Sequence, residues 1–416
     1  MAASTMTSSQ PLADQGATAP GVVGATALQH ARREFAGAPL YADCASQGLL
    51  SIAALEAAVV EMEYQTKGEQ RHAARAEIFQ NVRSLFAQLI GAEADEIAIT
   101  RNVSEGLNAI LHGFPWAQGD NVIVCPGIEH QAALACVLGL RSRGIEIRSA
   151  VAADGVRLDF TALELLVDTS TRMIVVSHVS FLPGLCCNLE DLSLRCRERG
   201  IFLLVDAAQS AGLLEIDVRK SPVGALCAPS GKGLLGLPGC GFLYCSQQWS
   251  ERIRPIYISS TGLANQLLHV QTLADGVTFA AGSARFHLGT PNWVSLASLQ
   301  VALTQLIAVG PRIIEMHVIG LARALSKAFQ TLGYSVRAGT PGEARSHIVS
   351  LGMRSDIADN QLVDEKLSSL ALALKRGGVR FSVRRGMIRF SFHLYNDLSD
   401  VQSIMDISSR GITAGK

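Results

Sequence analysis

The sequence predicts an α/β fold in which a large domain is followed by a smaller α+β domain. Between about residues 97 and 245, short apolar runs alternate with segments of helical periodicity. Strands that alternate with helices form a mainly parallel sheet with helices on both faces. Beyond Pro291 the pattern changes to long helices with strands near 347–353 and 387–394. With 416 residues, of which 48% are hydrophobic, the chain can bury the cores of two domains.

The segment before the sheet is expected to hold a tail, an arm and two helices. Residues 1–24 are rich in Ala, Ser, Thr, Gln and Gly without periodicity, which predicts a flexible tail. Residues 25–50 form an arm, with a short helix over 26–36 followed by an ordered loop. Residues 51–91 carry helical periodicity in two stretches, interrupted near Thr66-Lys67-Gly68.

Seven apolar runs have the length of buried strands, and three later segments have the periodicity of helices. The large domain is expected over 51–290, with its seven-stranded sheet between helices, and the small domain over 291–416. The later helices are predicted at about 294–309, 311–332 and 359–375. The strands are predicted at Ile97–Thr100, Asn121–Cys125, Glu146–Ala150, Met173–His178, Phe202–Asp206, Ala225–Ala228 and Gly241–Cys245.

Charge and composition exclude several classes of protein. Lys and Arg number 36 and Asp and Glu number 36, which argues against nucleic acid or an anionic membrane as the main partner. No apolar run reaches the length of a bilayer span, and the N-terminus lacks the features of a signal peptide, so we expect a cytoplasmic protein. The nine cysteines form no CxxC pair and predict small buried side chains. The histidine spacings match no standard metal site, so no metal is predicted.

Polar side chains follow the predicted strands where each strand ends. Ligands of open α/β sheets bind at the carboxyl ends of the strands, so these side chains are the candidate site. They supply a hydroxyl near a helix start, an imidazole, a carboxylate, an amide and an amine. The residues are Asn102 to Glu105, Glu129 and His130, Ser180, Asp206 and Gln209, and Lys232.

Lys232 is the residue on which the chemical interpretation depends. Only seven lysines occur, and Lys232 alone lies in a glycine-rich turn. A surface lysine is the simpler interpretation, but a desolvated amine is also a natural anchor for an aldehyde cofactor. Pyridoxal phosphate would use the whole set, since it needs an amine, a carboxylate for its ring nitrogen and N–H donors for its phosphate. Because Gly233 follows Lys232, the turn is not a Walker A nucleotide loop, and no GxGxxG follows an early strand.

Several segments in order resemble the class V aminotransferase family of fold-type-I pyridoxal-phosphate enzymes. The resemblance covers roughly residues 38–410 and points to the branch with cysteine desulfurases and isopenicillin-N-epimerase-like enzymes. The matching segments are Tyr41 to Leu50, Asn102 to Asn108, Glu129-His130, Ser177 to Ser180, Asp206 to Gly212, Lys232 to Tyr244, Arg285 to Asn292 and Ile388 to Asn396.

The resemblance implies a role for each matching residue. Lys232 is then the Schiff-base lysine, Asp206 the partner of the pyridine nitrogen and His130 the ring-stacking residue, and these three are the expected catalytic residues. The resemblance also implies pyridoxal 5′-phosphate as cofactor and a homodimer with shared sites. Further contacts are Val103 and Ser104 to the phosphate, Gln209 to the phenolic oxygen, Arg389 to the substrate carboxylate and Thr290 to the phosphate of the neighbouring subunit.

Three departures from the family pattern concern the site. Gly231 stands where many relatives have His before the lysine, and we expect Ser230 to supply the missing cofactor contact. Phe181 replaces an Asn near the ring, which predicts a more apolar substrate pocket. No Cys follows position 245, so the nucleophilic Cys of the desulfurases is missing and persulfide chemistry is not expected.

The resemblance implies an enzyme that acts on the α-amino group of an amino acid through a Lys232 aldimine and a quinonoid. Transamination is the first expectation because the naming of the family leans that way. Elimination of a β- or γ-substituent, as in a C–S lyase or cyclase, and epimerisation use the same residues and stay open. A non-catalytic relative that keeps the fold is a remoter alternative, against which the intact Lys, Asp, Gln and Arg set argues.

Overall fold

The computed structural model describes residues 20–35, 37, 39–151, 163–264, 276–337 and 345–413. Residues 1–19, most of the predicted tail, lie outside these ranges. Helix α1 (Pro20–Arg33) begins before the predicted position near residue 26 and takes in the last residues of the segment predicted to be a tail. Helices α2 (Ile52–Thr66) and α3 (His72–Ile90) confirm the two predicted helices and the break between them.

The large sheet has the seven strands that the sequence predicts, each within two residues of its expected bounds. Their spatial order is β1-β7-β6-β5-β4-β2-β3. Strand β7 runs antiparallel to β1 and β6, whereas β2 to β6 are mutually parallel, so the sheet is mainly parallel. The strands are β1 (Ile97–Thr100), β2 (Asn121–Val124), β3 (Glu146–Ser149), β4 (Thr171–Ser177), β5 (Phe202–Asp206), β6 (Ala225–Pro229) and β7 (Gly241–Cys245).

Alternate residues of the central strands enter two different cores, which explains why their sequences are apolar without interruption. In β4, Met173 and Val175 pack on one face, and Ile174 and Val176 pack on the other. Such a strand is buried on both sides and reads as a continuous apolar run. The connecting helices are α4 (Val103–Gly113), α5 (Gln131–Leu138), α6 (Leu189–Glu198) and the short α7 (Gln247–Ser250).

Helix α8 (Trp293–Val309) packs on α2 and α3, and Leu296, Leu299 and Leu303 belong to the core of the large sheet. That core therefore extends past residue 291, the predicted start of the small domain. Helix α9 (Pro311–Thr331) connects the two cores. Its N-terminal half packs in the core of the large sheet, and its Leu325 and Phe329 pack in the core of the C-terminal part. Among the described helices, none is by itself both long and apolar enough to cross a membrane, and only the pair α8 and α9, bent by 82°, meets both criteria together.

The C-terminal part contains a four-stranded antiparallel sheet in the order β10-β11-β9-β8. Strands β9 (Ile348–Leu351) and β11 (Met387–Ser391) were expected, whereas β8 (Val336–Arg337) and β10 (Ser382–Arg384) were not. Helix α10 (Glu365–Arg376) begins six residues after the predicted start at 359, because Asp364 caps it by accepting from Leu367 N at 2.9 Å. Helix α11 (Leu398–Thr413) completes the fold.

Candidate active site

Lys232 is held by a turn in which the backbone is packed very closely. A Cβ at Gly233 would lie 2.4 Å from Ala211 O, and one at Gly48 would lie 2.2 Å from Lys232 O. Only glycine fits either position without a shift of the backbone. Gly48 N also donates to Gly231 O at 3.0 Å, which ties the turn to the N-terminal arm. The Lys232 amine is buried, and this burial lowers its pKa and favours the neutral, nucleophilic form.

Asp206 is the last residue of β5, and its carboxylate lies in the same buried region. Its Oδ1 accepts from Ala208 N at 2.8 Å. Burial raises the pKa of Asp206, while the nearby Lys232 opposes that shift. A buried carboxylate of this kind is stabilised by a positively charged partner such as a protonated pyridine nitrogen.

A cavity of about 190 Å³ lies at the carboxyl edge of the large sheet. The sheet topology explains its position, since β1, β2, β4, β5 and β6 all end at this edge. Six of the predicted site residues line the cavity and are therefore brought together. They are Val103, Ser104, His130, Asp206, Gln209 and Lys232.

One wall of the cavity is the N-terminus of α4. The side chain of Asn102 caps this helix and accepts from Glu105 N at 2.9 Å. The N–H groups of Val103 and Ser104 precede the first intrahelical donors, so they are free to face an anion together with the Ser104 hydroxyl. The wall is suited to a phosphate group, and the contacts of Val103 and Ser104 with it stay a prediction.

His130 forms the opposite wall and caps α5. Its Nδ1 accepts from Ala132 N at 3.2 Å, which places the proton of the neutral ring on Nε2. Burial lowers the pKa of His130, and the charges of Lys232 and Arg389 lower it further. The ring lies against Phe181 with centroids 4.8 Å apart. A neutral, oriented imidazole is suited to stack on an aromatic ring.

Gln209 provides a direct test of whether a polar ring fits the cavity. Its Nε2 donates to Ala45 O at 2.9 Å and keeps a second N–H, while its Oε1 has no partner among the described residues. Buried polar atoms rarely lack a partner. The unsatisfied amide, the buried carboxylate of Asp206 and the amine of Lys232 together fit pyridoxal phosphate.

Arg389 lies on β11 and is fully buried beside the cavity rather than in its lining. Its guanidinium donates to Ser382 Oγ at 3.0 Å, to Phe181 O at 3.1 Å and to Ser46 Oγ at 2.9 Å. Asp43 Oδ1 lies 3.6 Å away and supplies the counter-charge. Burial lowers the pKa of Arg389 to about 10, so it stays charged at neutral pH. Its guanidinium is thus held by three hydrogen bonds and one carboxylate within the protein.

Two predicted cofactor contacts do not reach the cavity. Ser230 is fully buried, and its hydroxyl is turned to the carbonyl oxygens of Leu237 and Cys240, so it braces the lysine turn. The Ser230 hydroxyl is thus engaged within the turn, and its role in place of the missing His stays a prediction. Thr290 is exposed and lies outside the cavity lining, and its contact with a neighbouring subunit stays a prediction.

Glu129 and Ser177 form a buried pair of an acid and a hydroxyl beside the cavity, and the sequence analysis assigned neither of them a role. Glu129 accepts from Ser177 N at 2.8 Å and from the Ser177 hydroxyl at a shorter distance. Burial raises the pKa of Glu129 to about 8, so the side chain is largely protonated at neutral pH. Ser177 itself lines the cavity, and it ends β4 where the sequence had suggested Ser180.

None of the nine cysteines lines the cavity. Cys44 is the nearest to Lys232 electrostatically, but it is fully buried, and burial raises the pKa of its thiol to about 12. The turn between β10 and β11 consists of Arg385 and Gly386 and holds no thiol. The site therefore has no reactive thiolate within reach of a substrate.

Comparison with known proteins agrees with this geometry. The model of the class V aminotransferases matches residues 52–404. A probable cysteine desulfurase of Methanothermobacter thermautotrophicus is 29% identical over 333 residues, which are 78% of this chain and 81% of the relative.

Solved structures with the same fold are also found. The apo structure of a cysteine desulfurase from Thermococcus onnurineus NA1 has a TM-score of 0.79 at 22% identity and covers 93% of this chain and 98% of its own. A cystine C–S lyase in complex with its product, cysteine persulfide, has a TM-score of 0.78 at 22% identity and covers 89% and 98%. These likenesses confirm the predicted fold, with a seven-stranded sheet and a smaller C-terminal part.

Proposed function

The chain belongs to the class V aminotransferase family, and from that premise we propose that it is a lyase that eliminates a sulfur substituent from the β-carbon of an amino acid. Membership in the family makes it an enzyme that depends on pyridoxal phosphate. The amino-acid substrate and the elimination are the proposed part. The sequence had favoured transamination, with elimination as an alternative, and the contacts around the cofactor cavity reverse that order.

The observation that carries the proposal is the lack of a fixed cation at the phosphate end of the cavity. The residues that line it include no arginine and no lysine besides Lys232, and Lys232 belongs to the aldehyde end of the cofactor. His130 is neutral because its pKa is lowered. The phosphate is left with N–H groups and a hydroxyl of α4. Retention of the cofactor then depends largely on its covalent bond to Lys232.

Elimination and transamination differ in how they use that bond. In an elimination, Lys232 would hold the cofactor again at the end of every turnover. In a transamination, the other residues of the site would have to hold the cofactor without Lys232 until a second substrate arrives. A site with weak phosphate contacts would lose the cofactor at that stage, so the geometry favours elimination.

Each step of the proposed reaction has a residue of this chain to perform it. When bound, the cofactor delocalises negative charge from the substrate's Cα. Arg389, buried beside the cavity, is the proposed partner of the α-carboxylate. The Lys232 amine, with its lowered pKa, takes the Cα proton. Asp206 holds the proton on the ring nitrogen.

The fate of sulfur follows from the cysteines. A desulfurase transfers sulfur to a protein thiolate, and no thiol lines this cavity. In the proposed reaction the Cα–H and Cβ–S bonds break, and sulfur leaves with its substituent as a thiol. The remaining enamine hydrolyses to pyruvate and ammonia. The fold is shared with a cystine C–S lyase, an enzyme that also breaks a C–S bond.

Product analysis tests the proposal. Incubation of the holoenzyme with S-substituted cysteines is expected to yield ammonia and pyruvate in equal amounts with the cofactor unchanged. Accumulation of the amine form of the cofactor with a keto acid but no ammonia would instead establish a transaminase. Retention of the substrate with deuterium at Cα in heavy water would establish an epimerase. The homodimer and the cytoplasmic location stay predictions, which sedimentation and fractionation can test.

A further inference from the structure

A second cavity, of about 160 Å³, adjoins the cofactor cavity. Both cavities are lined by His130 and Phe181, so a substrate held at the cofactor can extend from one into the other. The second cavity has space for about five groups of the size of water. It therefore has the position and size to receive the end of a substrate side chain.

The charge of the second cavity is positive. Its lining includes two arginines, Arg354 and Arg385. Of the two acids in its lining, Asp359 lies 4.0 Å from Arg384, and Glu129 is buried, protonated by its raised pKa and bonded to a hydroxyl. Arg354 donates to Gly127 O, which holds that side chain at the cavity. The lining thus carries two arginines against one acid that already has a basic neighbour.

Arg385 occupies a backbone position that its own side chain does not favour. Because Arg384 pairs with Met387, the β10–β11 hairpin has a two-residue turn made of Arg385 and Gly386. Both residues have positive φ, 45° for Arg385 and 81° for Gly386. Turns of this kind favour Asn-Gly, since a residue with a larger side chain is strained in the left-handed region. Strain at one residue is a reason to look for a function of its side chain.

The Arg385 guanidinium has no hydrogen bond or ion pair within the described parts of the chain, although its backbone oxygen accepts from Ser355 N at 3.0 Å. An arginine with a structural role would be expected to donate hydrogen bonds to other residues of the protein. As far as the described residues go, the five N–H groups of Arg385 have no acceptor in the protein, and the residue lines a cavity that opens beside the cofactor. The backbone is anchored and the charged group is unused.

We propose that Arg385, assisted by Arg354, binds an anionic group at the far end of the substrate side chain. The preferred substrates are then amino acids whose sulfur substituent ends in a carboxylate or another oxyanion. This assignment rests on the proposed elimination for the identity of the leaving group, but not for the binding of the anion. Arg385 is a specificity-determining residue, because the anion it binds is remote from the Cα proton.

Two compounds of nearly equal size separate charge from shape. S-carboxymethylcysteine ends in a carboxylate, and S-carbamoylmethylcysteine ends in the neutral amide of the same geometry. The holoenzyme is expected to show a kcat/KM roughly 10- to 100-fold higher for the carboxylate, the range of one hydrogen-bonded charge contact. Arg385→Asn should remove most of that preference, and Arg385→Lys should restore part of it. Arg376→Gln, at an exposed position at the end of α10, is the matched control and should leave the preference intact.

Thermal unfolding separates a role in specificity from a role in folding. Because Asn tolerates positive φ, the Arg385→Asn protein should unfold at the same or a higher temperature than the wild type. A lower unfolding temperature together with an equal loss of activity on both compounds would show that Arg385 supports the hairpin and would overturn the proposal. A wild-type enzyme without preference for the carboxylate would overturn it as well.

A failure of the proposed elimination would be recognised separately. If neither compound releases ammonia, the exchange of the Cα proton in heavy water and the change in cofactor absorbance on binding still report the affinity for each compound. A preference for the carboxylate in those measurements, lost in Arg385→Asn, would support the anion site while rejecting the lyase. Equal or absent binding of the two compounds would overturn the anion site.

Discussion

Gly231→His restores the residue that many relatives have before the lysine. The change is sterically possible, because a Cβ at Gly231 would meet Pro238 N at 3.4 Å and Pro238 Cα at 3.5 Å, which are ordinary contacts. Gly231 is also not among the residues with positive φ, so an L-amino acid fits its backbone. By contrast, a Cβ at Gly233 would collide with Ala211 O at 2.4 Å. The substitution therefore tests the chemistry of the cofactor site without disturbing the turn.

The expected gain is one hydrogen bond from an imidazole to the phosphate. Hydrogen bonds to charged groups contribute about 1.5–3 kcal/mol, and each 1.4 kcal/mol is a tenfold change in affinity. The Kd of pyridoxal phosphate should therefore fall roughly 10- to 100-fold. Loss of glycine entropy in the unfolded chain adds less than about 1 kcal/mol to folding stability and is shared by any side chain. Gly231→Ala is thus the matched control for the backbone effect.

Cofactor titration of the apoprotein, followed by visible absorbance, measures the change. Gly231→His should bind more tightly than Gly231→Ala, and Gly231→Ala should bind like the wild type. The Gly231→His enzyme should also keep its cofactor longer when it is incubated with substrate. Equal Kd values for the three proteins would refute the conclusion that the wild-type phosphate site lacks a strong contact, and with it the main support for elimination.

Three further predictions concern stability and the cofactor partners. Burial raises the pKa of Glu129 from its ordinary 4.5 to about 8, so between these pH values the folded protein keeps a proton that the unfolded chain has lost, and stability falls as pH rises. Glu129→Gln should therefore flatten the decline of the apoprotein Tm between about pH 6 and 8. An unchanged decline in the variant would contradict this role of Glu129. The rings of Phe86 and Phe242 are stacked in the core with their centroids 3.9 Å apart. Phe86→Ala should therefore lower the free energy of unfolding, measured with denaturant, by about 3–5 kcal/mol. A loss below about 1 kcal/mol would contradict this packing. Asp206→Asn removes a buried charge. The variant should bind the cofactor roughly 10- to 100-fold more weakly, whereas the Tm of its apoprotein should not fall. Weaker binding together with a lower Tm would indicate that Asp206 has a role in folding instead.

Six of the seven strands of the large sheet could be predicted because most of their residues are buried and they read as apolar runs, whereas the edge strand β3 (Glu146–Ser149) is partly exposed. Strands β8 and β10 have two and three residues and include arginines, so no periodicity marks them. Helix α11 was missed although Val401, Ile404 and Ser408 form a buried stripe at helical spacing, which was a usable signal. The change of sequence pattern at residue 291 does not predict that α8 belongs to the core of the large sheet, because that position depends on packing against α2 and α3.

The site was predictable to the extent that it consists of strand ends. Parallel strands bring Asp206, His130 and Lys232 to one edge whatever the loops do, and all three line the cavity. The direction of a side chain is a different matter. Ser230 lies two residues before the lysine, yet its hydroxyl donates to two carbonyl groups of its own turn. Likewise, the contact of Arg389 with Ser46 joins residues 343 positions apart, which no local pattern indicates.

The most direct test of the account is to locate the cofactor on the chain. Reduction of the holoenzyme with borohydride makes the bond between pyridoxal phosphate and its lysine permanent, and peptide mass spectrometry then identifies the modified residue. The account predicts one modified peptide, carrying the adduct on Lys232, and no visible cofactor band in Lys232→Ala. An adduct on Lys220 or another lysine, or a protein that takes up no cofactor, would contradict it.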